Sequence, residues 1–359
     1  MAPANRYGLI LAGGRGTRFW PRSRKRHAKQ VLNVTGERTL IQATVDRLVP
    51  AIPPERMWIL TSDFVRDEIV RQLPEVPQSQ IVAEPAQRNT APAIALAAHI
   101  LHSIDAKAVF GVFPADHVIG LPRRYLQFVR AAFKAAENGM IGVLGIQPRW
   151  PETGYGYIEF PKAAAAGSLD ALSVTSFHEK PDLRTAKKFF RAGRYFWNAG
   201  MFFWKAETAL HAMRLHQPKT ATLISSLPAY AHPDFAARLA EVFPLCENVS
   251  VDFGVMEHAD NVVGLACDEF GWNDVGSWDA VYELMPHDAN ANAARSELLC
   301  ADSTGNYIDC GRKLVALLGV KDLIIVDTPD ALLVADRARA QQVGDIVKLL
   351  EKNKREALL

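Results

Sequence analysis

The chain has 359 residues, 49% of them hydrophobic and 22% charged, with a net charge of +2. Such a length allows two or three domains with sizeable cores, and the balance is that of a globular chain rather than a disordered one. The charge is too small for a protein coated to bind nucleic acid, and no stretch approaches the ~20 apolar residues of a membrane-spanning helix.

Up to about residue 150, strands are expected at Tyr7–Leu11, Met57–Thr61, Gln80–Ala83, Ala108–Phe113 and Met140–Ile146. Helical spacing falls between them, at Leu40–Val49, Phe64–Leu73, Thr90–Ser103 and Pro122–Asn138. Pro122 suits a helix start, and Gly139 the position just past its end. This alternation implies an α/β fold with a mostly parallel sheet flanked by helices. Ligands of such sheets bind at the carboxyl ends of the strands.

From about 150 to 285 the order loosens. Strands are expected at Tyr155–Phe160, Ser173–His178 and Met201–Trp204, some of them antiparallel, and helices at Leu183–Ala192, Ala206–His216 and Phe235–Val242. Ala163–Gly167 reads as a weakly structured connection. Beyond about 290, Leu298–Cys300, Asn306–Asp309, Lys313–Leu318, Leu323–Val326 and Ala331–Ala335 are short and evenly spaced. They imply a small β-rich appendix, followed by a helix near Arg337–Lys352. The expected division is 1–288 and 289–359.

Cys246, Cys267, Cys300 and Cys310 show neither CxxC pairing nor zinc-like histidine spacing, and read as buried thiols of a reducing compartment. The Tyr7–Ala12 run is too short for a signal peptide, so the expected location is cytoplasmic. The histidines are dispersed and most of them read as structural or surface residues; Trp150, Trp197, Trp204, Trp272 and Trp278 read as core or pocket walls.

The first strand runs into Gly13-Gly14-Arg15-Gly16-Thr17-Arg18. Glycines there let the backbone approach phosphates and aim N–H groups at them. A P-loop needs GxxxxGK[ST], but Thr17-Arg18 follow Gly16. A dinucleotide fold needs a helix directly after GxGxxG, where this chain has Pro21. Taken alone, the loop is also compatible with a tight turn that binds nothing. Its company favours phosphate: Arg18 and Lys29 follow closely, the first able to pair bidentately, the second a point charge. They belong to a block of Arg15, Arg18, Arg22, Arg24, Lys25, Arg26 and Lys29 that holds no acid. Such a block is a solvated face or, beside a ligand, an anion site.

The run LAGGRGTRFWPRSR…AKQ resembles the opening motif of the sugar-nucleotide pyrophosphorylases, and Trp20-Pro21…Ser23-Arg24 resembles their mannose-1-phosphate guanylyltransferase branch. Further motifs follow in the family's order: Phe113-Pro114-Ala115-Asp116-His117, Gly154-Tyr155-Gly156-Tyr157-Ile158, Phe177-His178-Glu179-Lys180-Pro181, Trp197-Asn198-Ala199-Gly200, Val251-Asp252-Phe253-Gly254 and Trp272-Asn273-Asp274-Val275-Gly276. Ala28 departs from the proline usual before Lys29.

The resemblance implies a Rossmann-like nucleotidyltransferase fold with a short left-handed β-helical appendix, in which 1–150 mainly serves the nucleotide and 151–288 the sugar phosphate. The implied reaction joins GTP and mannose 1-phosphate, with Mg2+ as cofactor and no nucleic acid or membrane partner. The appendix of this family often mediates self-association, so a homodimer is expected. Longer relatives append an isomerase domain, and no isomerase activity is expected of this chain.

Leu11, Ala12, Gly13, Gly14, Gly16 and Thr17 would hold the nucleotide, with Glu84, Arg88, Asn89 and Thr90 beside the base. Asn89 or Thr90 is also a helix N-cap candidate. Arg18, Lys29 and Asp116 would be catalytic. Asp116, at a carboxyl strand end, reads alone as a turn cap; triphosphate chemistry makes it a magnesium ligand with Asp274. Tyr155, Gly156, Glu179, Lys180, Asn198, Gly200 and Asp252 would serve the sugar phosphate. Glu179 and Lys180, adjacent on a strand, would face opposite ways, or form a plain salt bridge. Asp252 bonds the sugar or fixes its loop.

Two rivals stand beside this reading. One keeps the chemistry with another sugar 1-phosphate or nucleotide. The other is a non-catalytic regulatory homologue, against which the full set Arg18, Lys29, Asp116, Lys180 and Asp274 argues.

Overall fold

The computed structural model describes residues 5–161 and 164–359; the connection expected at Ala163–Gly167 therefore begins outside the described residues. The first part alternates as expected: β1 (Arg6–Ala12), α1 (Leu40–Leu48), β2 (Met57–Ser62), α2 (Asp63–Gln72), β3 (Ile81–Glu84), α3 (Thr90–Ile104) and β4 (Val109–Pro114). The four strands pair in parallel, in the order β3-β2-β1-β4. Local chemistry sets the helix starts. Thr39 and Gln42 form a reciprocal capping box on α1, and Asn89 caps α3 through the Thr90 amide.

A two-residue strand, β5 (Val118–Ile119), precedes α4 (Pro122–Ala136), which opens on Pro122, and β6 (Ile141–Ile146). Next come β7 (Tyr157–Glu159), β8 (Leu172–Ser173), β9 (Ser176–His178), α5 (Leu183–Ala192), β10 (Tyr195–Lys205), α6 (Ala206–His216), α7 (Pro218–Ser225) and α8 (Phe235–Val242). This sheet-bearing part closes with β11 (Val262–Cys267), β12 (Trp272–Asn273) and α9 (Trp278–Leu284). β10 lies antiparallel between β4 and β6, and β11 runs parallel to β6, giving a mixed ten-stranded sheet. Apolar clusters cover both of its faces.

Three expectations need correction. The strand expected at Met201–Trp204 is the second half of a longer one: β10 begins at Tyr195 and carries a register shift between Asn198 and Phe202. The polar Asn198 and the left-handed Gly200 (φ 66°) interrupt the apolar run there without ending the strand. Ser173–His178 divides into β8 and β9, which pair with different partners, β11 and β7. The helix near Arg337–Lys352 begins as a 3-10 turn, Arg337–Gln342, before α10 (Val343–Lys352).

The appendix holds β13 (Ala293–Ala294), β14 (Leu298–Ala301), β15 (Tyr307–Asp309), β16 (Val315–Leu318), β17 (Leu323–Thr328) and β18 (Ala331–Asp336). Successive turns stack in parallel, β13 on β15 on β17 and β14 on β16. Asparagines ladder between the turns. Asn306 donates to the Asn292 side chain at 2.9 Å and accepts from the Leu323 amide at 2.9 Å. A third apolar cluster joins the two parts, with Phe19 and Trp20 from the glycine loop packed among Trp278, Tyr307, Ile324 and Val343.

The basic block belongs to this junction. Arg15 pairs with Glu351 (2.9 Å), Arg22 with Asp309 (2.6 Å), Arg24 with Asp330 (3.0 Å) and Lys25 with Glu356 (2.7 Å). The acids missing from the block are supplied by the far end of the chain, so it is neither a simple solvated face nor wholly an anion site. Among the described residues, no helix is long and apolar enough to cross a membrane.

Candidate active site

The carboxyl ends of β1, β3 and β4 open onto one cleft of roughly 860 Å³, within the range of small-molecule sites. β10 runs the other way, so its amino-terminal half, Asn198–Gly200, arrives at the same edge. From the expected site residues, Leu11, Gly13, Gly14, Gly16, Thr17, Glu84, Arg88, Asn89, Thr90, Tyr155, Gly156, Glu179, Lys180, Asn198, Gly200, Asp252 and Asp274 line it. Ala12 is buried, its carbonyl taken by Gln30 (2.5 Å) and Thr61 (3.0 Å). Arg18, Lys29 and Asp116 are not among its lining residues; Arg18 is exposed, Asp116 half-buried and Lys29 buried.

The glycine loop turns at Gly16, whose φ of 63° is left-handed and whose missing Cβ would lie 2.4 Å from the Lys29 Cβ. Lys29 can therefore pass beneath the loop. It is buried, and its ammonium donates to Asp116 Oδ2 (2.7 Å) and to the Asp274 carbonyl (2.8 Å). Burial would raise the Asp116 pKa, but the Lys29 charge overrides it and holds the carboxyl below its usual range. Arg18 donates to the Gly276 carbonyl at 3.1 Å.

What brings Asp274 to Asp116 is the ribbon of β5 and β12, where Asn273 pairs with Val118 and Trp272 with Ile119. It crosses at two glycines. A Cβ on Gly271 (φ 70°) would meet the Gly120 Cα at 2.7 Å, and the Gly120 amide donates to the Gly271 carbonyl at 3.0 Å.

Across the cleft the sugar-side residues are tied to one another. Asn198 donates to Asp252 Oδ1 (2.8 Å) and accepts from the Gly200 amide (3.0 Å). Asp252 thus fixes its loop while also lining the cleft. Burial and the charge of Glu179 push its carboxyl up to about 7. The Glu179 carboxylate covers Gly156, where a Cβ would sit 2.5 Å from Oε2. Glu179 and Lys180 do not face opposite ways: β9 ends at His178, Lys180 takes a φ of 44°, and the two bond at 3.0 Å. Tyr155 lies among the sugar-side residues, but its hydroxyl donates to Asp274 Oδ1 at 2.7 Å.

On the remaining side, Glu84 presents a half-buried carboxyl that burial pushes up to about 8. The Arg88 guanidinium is spent on the Pro244 carbonyl (2.8 Å from Nε), anchoring its loop. Thr90 accepts from the Val251 amide (2.8 Å), which links this loop to Asp252.

Several lining residues were not assigned to the site from sequence, Gln87, His117 and Asn248 among them, whereas Trp272 is a pocket wall as expected. His117 is an exception to the reading of most histidines as structural or surface groups. The Trp272 indole N–H, a donor only, points at its Nδ1 (3.2 Å), so Nε2 carries the proton. Burial pulls the imidazole down to about 4, which keeps it neutral. Its place directly after Asp116 was the available signal; Asn248 offered none. Among the tryptophans, Trp197, Trp204 and Trp278 are fully buried, whereas Trp150 is exposed with its ring edge on Trp197. All four cysteines are free thiols, and Cys300 is only partly buried.

Two carboxylates beside a phosphate loop would repel a triphosphate unless a cation lay between them. Aspartate oxygens together with phosphate oxygens are the donor set of a hard divalent ion. Asp116, whose carboxylate meets the Lys29 ammonium, and Asp274, whose main-chain carbonyl meets the same ammonium, have side-chain oxygens of the type that role needs.

A mixed sheet with a glycine-rich loop, and two aspartates just past the carboxyl ends of strands, is the frame of a nucleotide-binding α/β protein. The chain belongs to the nucleotidyl transferase family, whose model matches residues 7–291, and residues 296–350 match the mannose-phosphate isomerase/GMP-like β-helix domain. Mannose-1-phosphate guanylyltransferases are its relatives. One from Escherichia coli K12 is 37% identical over 99% of this chain and 75% of its own length. Another, from Salmonella typhimurium, is 36% identical over 97% and 73%. The chain thus spans about three quarters of these relatives. A Thermus thermophilus structure described as a mannose-1-phosphate geranyltransferase superposes with a TM-score of 0.86 at 33% identity, covering 97% of this chain and 99% of that one.

Proposed function

We propose that the cleft condenses GTP with α-D-mannose 1-phosphate to give GDP-mannose and pyrophosphate. The observation that carries this reading is the convergence of Asp116 and Asp274, at the glycine loop, with the Asn198–Asp252 and Glu179–Lys180 pairs opposite. A phosphate oxygen of mannose 1-phosphate attacks the α-phosphorus of GTP in line. A new P–O bond forms as the bond to the β-phosphate oxygen breaks, and pyrophosphate leaves with that electron pair.

The nucleophile is already ionised at neutral pH, so the site needs alignment and charge neutralisation more than a base. Gly13, Gly14 and Gly16 offer backbone N–H groups to the triphosphate. Lys29 is a fixed positive charge beside Asp116, and Arg18 stabilises the leaving pyrophosphate. A divalent cation, Mg2+ in this reading, held by Asp116 and Asp274 would neutralise phosphate oxygens.

The guanine label rests on the likeness to mannose-1-phosphate guanylyltransferases, and among Glu84, Arg88, Asn89 and Thr90 we assign base recognition to Glu84. A carboxylate accepts from both N1–H and the 2-amino group of guanine, whereas adenine presents an acceptor at N1. We place the reaction in the cytoplasm, which the free thiols support, and take the acting unit to be a homodimer without membrane or nucleic-acid partners. The domain division is drawn at 288. A matrix of nucleoside triphosphates against hexose 1-phosphates, read by pyrophosphate release, tests the substrates. GTP with mannose 1-phosphate should give the highest kcat/KM; turnover with another pair and none with this one overturns the assignment.

A further inference from the structure

Asp274 stands at the end of a ribbon only two residues long on each side, so β12 fixes its backbone but not its carboxylate. Two neighbours set the side chain. Gly276 leaves Oδ2 uncovered: a Cβ there would lie 3.0 Å from it. Oδ1 accepts the Tyr155 hydroxyl at 2.7 Å, a charge-assisted bond of the stronger kind.

Tyr155 is itself held firmly. Its ring meets Trp197 and Trp272 edge-on, with centroids 5.3 and 5.2 Å away. Trp272 opens β12 and Asp274 directly follows its last residue, so donor and acceptor are anchored to one ribbon. The hydroxyl is thereby committed to the carboxylate rather than to the sugar-side groups beside it.

We propose that Tyr155 is a positioning residue that orients the Asp274 carboxylate for metal binding, leaving Oδ2 to the ion. This rests on the reading of Asp274 as a metal ligand. Partners one step removed from a metal typically contribute about 10–100-fold in metal affinity or activity. Tyr155→Phe keeps the ring packing and removes only the donor.

The test is Mn2+ binding to the full chain in the presence of GTP and without sugar phosphate, followed by electron paramagnetic resonance. Tyr155→Phe should weaken Mn2+ binding about 10–100-fold and have no further effect in an Asp274→Asn background. In turnover, the half-saturating Mg2+ concentration should rise by the same factor, while KM for mannose 1-phosphate at saturating Mg2+ stays unchanged. Unaltered Mn2+ affinity in Tyr155→Phe overturns the proposal, as does an equal loss in both backgrounds or wild-type affinity in Asp274→Asn. Because the binding readout needs no turnover, a failure of the substrate assignment is seen separately, as absent pyrophosphate release with bound metal.

Discussion

A carboxyl pushed up to about 8 is mostly protonated at pH 7, and Glu84 is such a group. Guanine offers two donors, which favour the ionised form, so GTP binding at pH 7 should release about one proton. Calorimetry in buffers of different ionisation enthalpy reads that number; a value near zero would remove Glu84 from base recognition. The same shift affects stability. The folded pKa lies above the unfolded value, so the folded state binds more protons and stability falls as pH rises from about 4.3 to 8. Glu84→Gln should therefore raise the melting temperature of the empty protein at pH 8 and change it little near pH 5, while narrowing the preference for GTP over ATP at least tenfold. At this scale some residue types were legible: Glu84 and Asn198 line the cleft, while the Asp116 carboxylate meets the Lys29 ammonium. Partner choice was not. Arg88 is spent on the Pro244 carbonyl and Tyr155 on Asp274 because of residues 156 and 119 positions away, which local spacing cannot report.

Between elements, the decisive contact is the crossing of β5 and β12. Gly271→Ala combines a left-handed φ of 70° with a Cβ 2.7 Å from the Gly120 backbone. A strained backbone position costs about 1–3 kcal/mol, and relieving the clash means parting the ribbon that carries Asp274. The variant should melt lower and lose at least tenfold in kcat, with a raised Mg2+ requirement; wild-type kcat would show that the ribbon does not set the metal pair. Two-residue strands have no periodicity to read, so this ribbon was invisible in the sequence. β10 was half visible for a related reason, since the bulge that aims Asn198 into the cleft also breaks the apolar pattern.

On the scale of the molecule, the appendix buttresses the glycine loop. Tyr307 is fully buried and stacks on Trp278 at 5.5 Å, in the cluster that holds Phe19 and Trp20. Removing such a ring should cost about 3–5 kcal/mol. Tyr307→Ala should accordingly lower the melting temperature and raise KM for GTP, although the residue lies outside the cleft; an unchanged KM at a temperature where the variant is folded would confine the appendix to stability. The alternation of strand and helix and the evenly spaced short strands made both parts legible. Their mutual docking was not, because it rests on ion pairs such as Arg15–Glu351 that join opposite ends of the chain. The central claim is nucleotidyl transfer at the Asp116–Asp274 pair. Its most direct test is one assay that quantifies GDP-mannose and pyrophosphate from GTP, mannose 1-phosphate and Mg2+, for wild type and Asp116→Ala. The account expects equal amounts of the two products from wild type and none from a folded Asp116→Ala; a fully active Asp116→Ala, or no pyrophosphate from wild type, would contradict it.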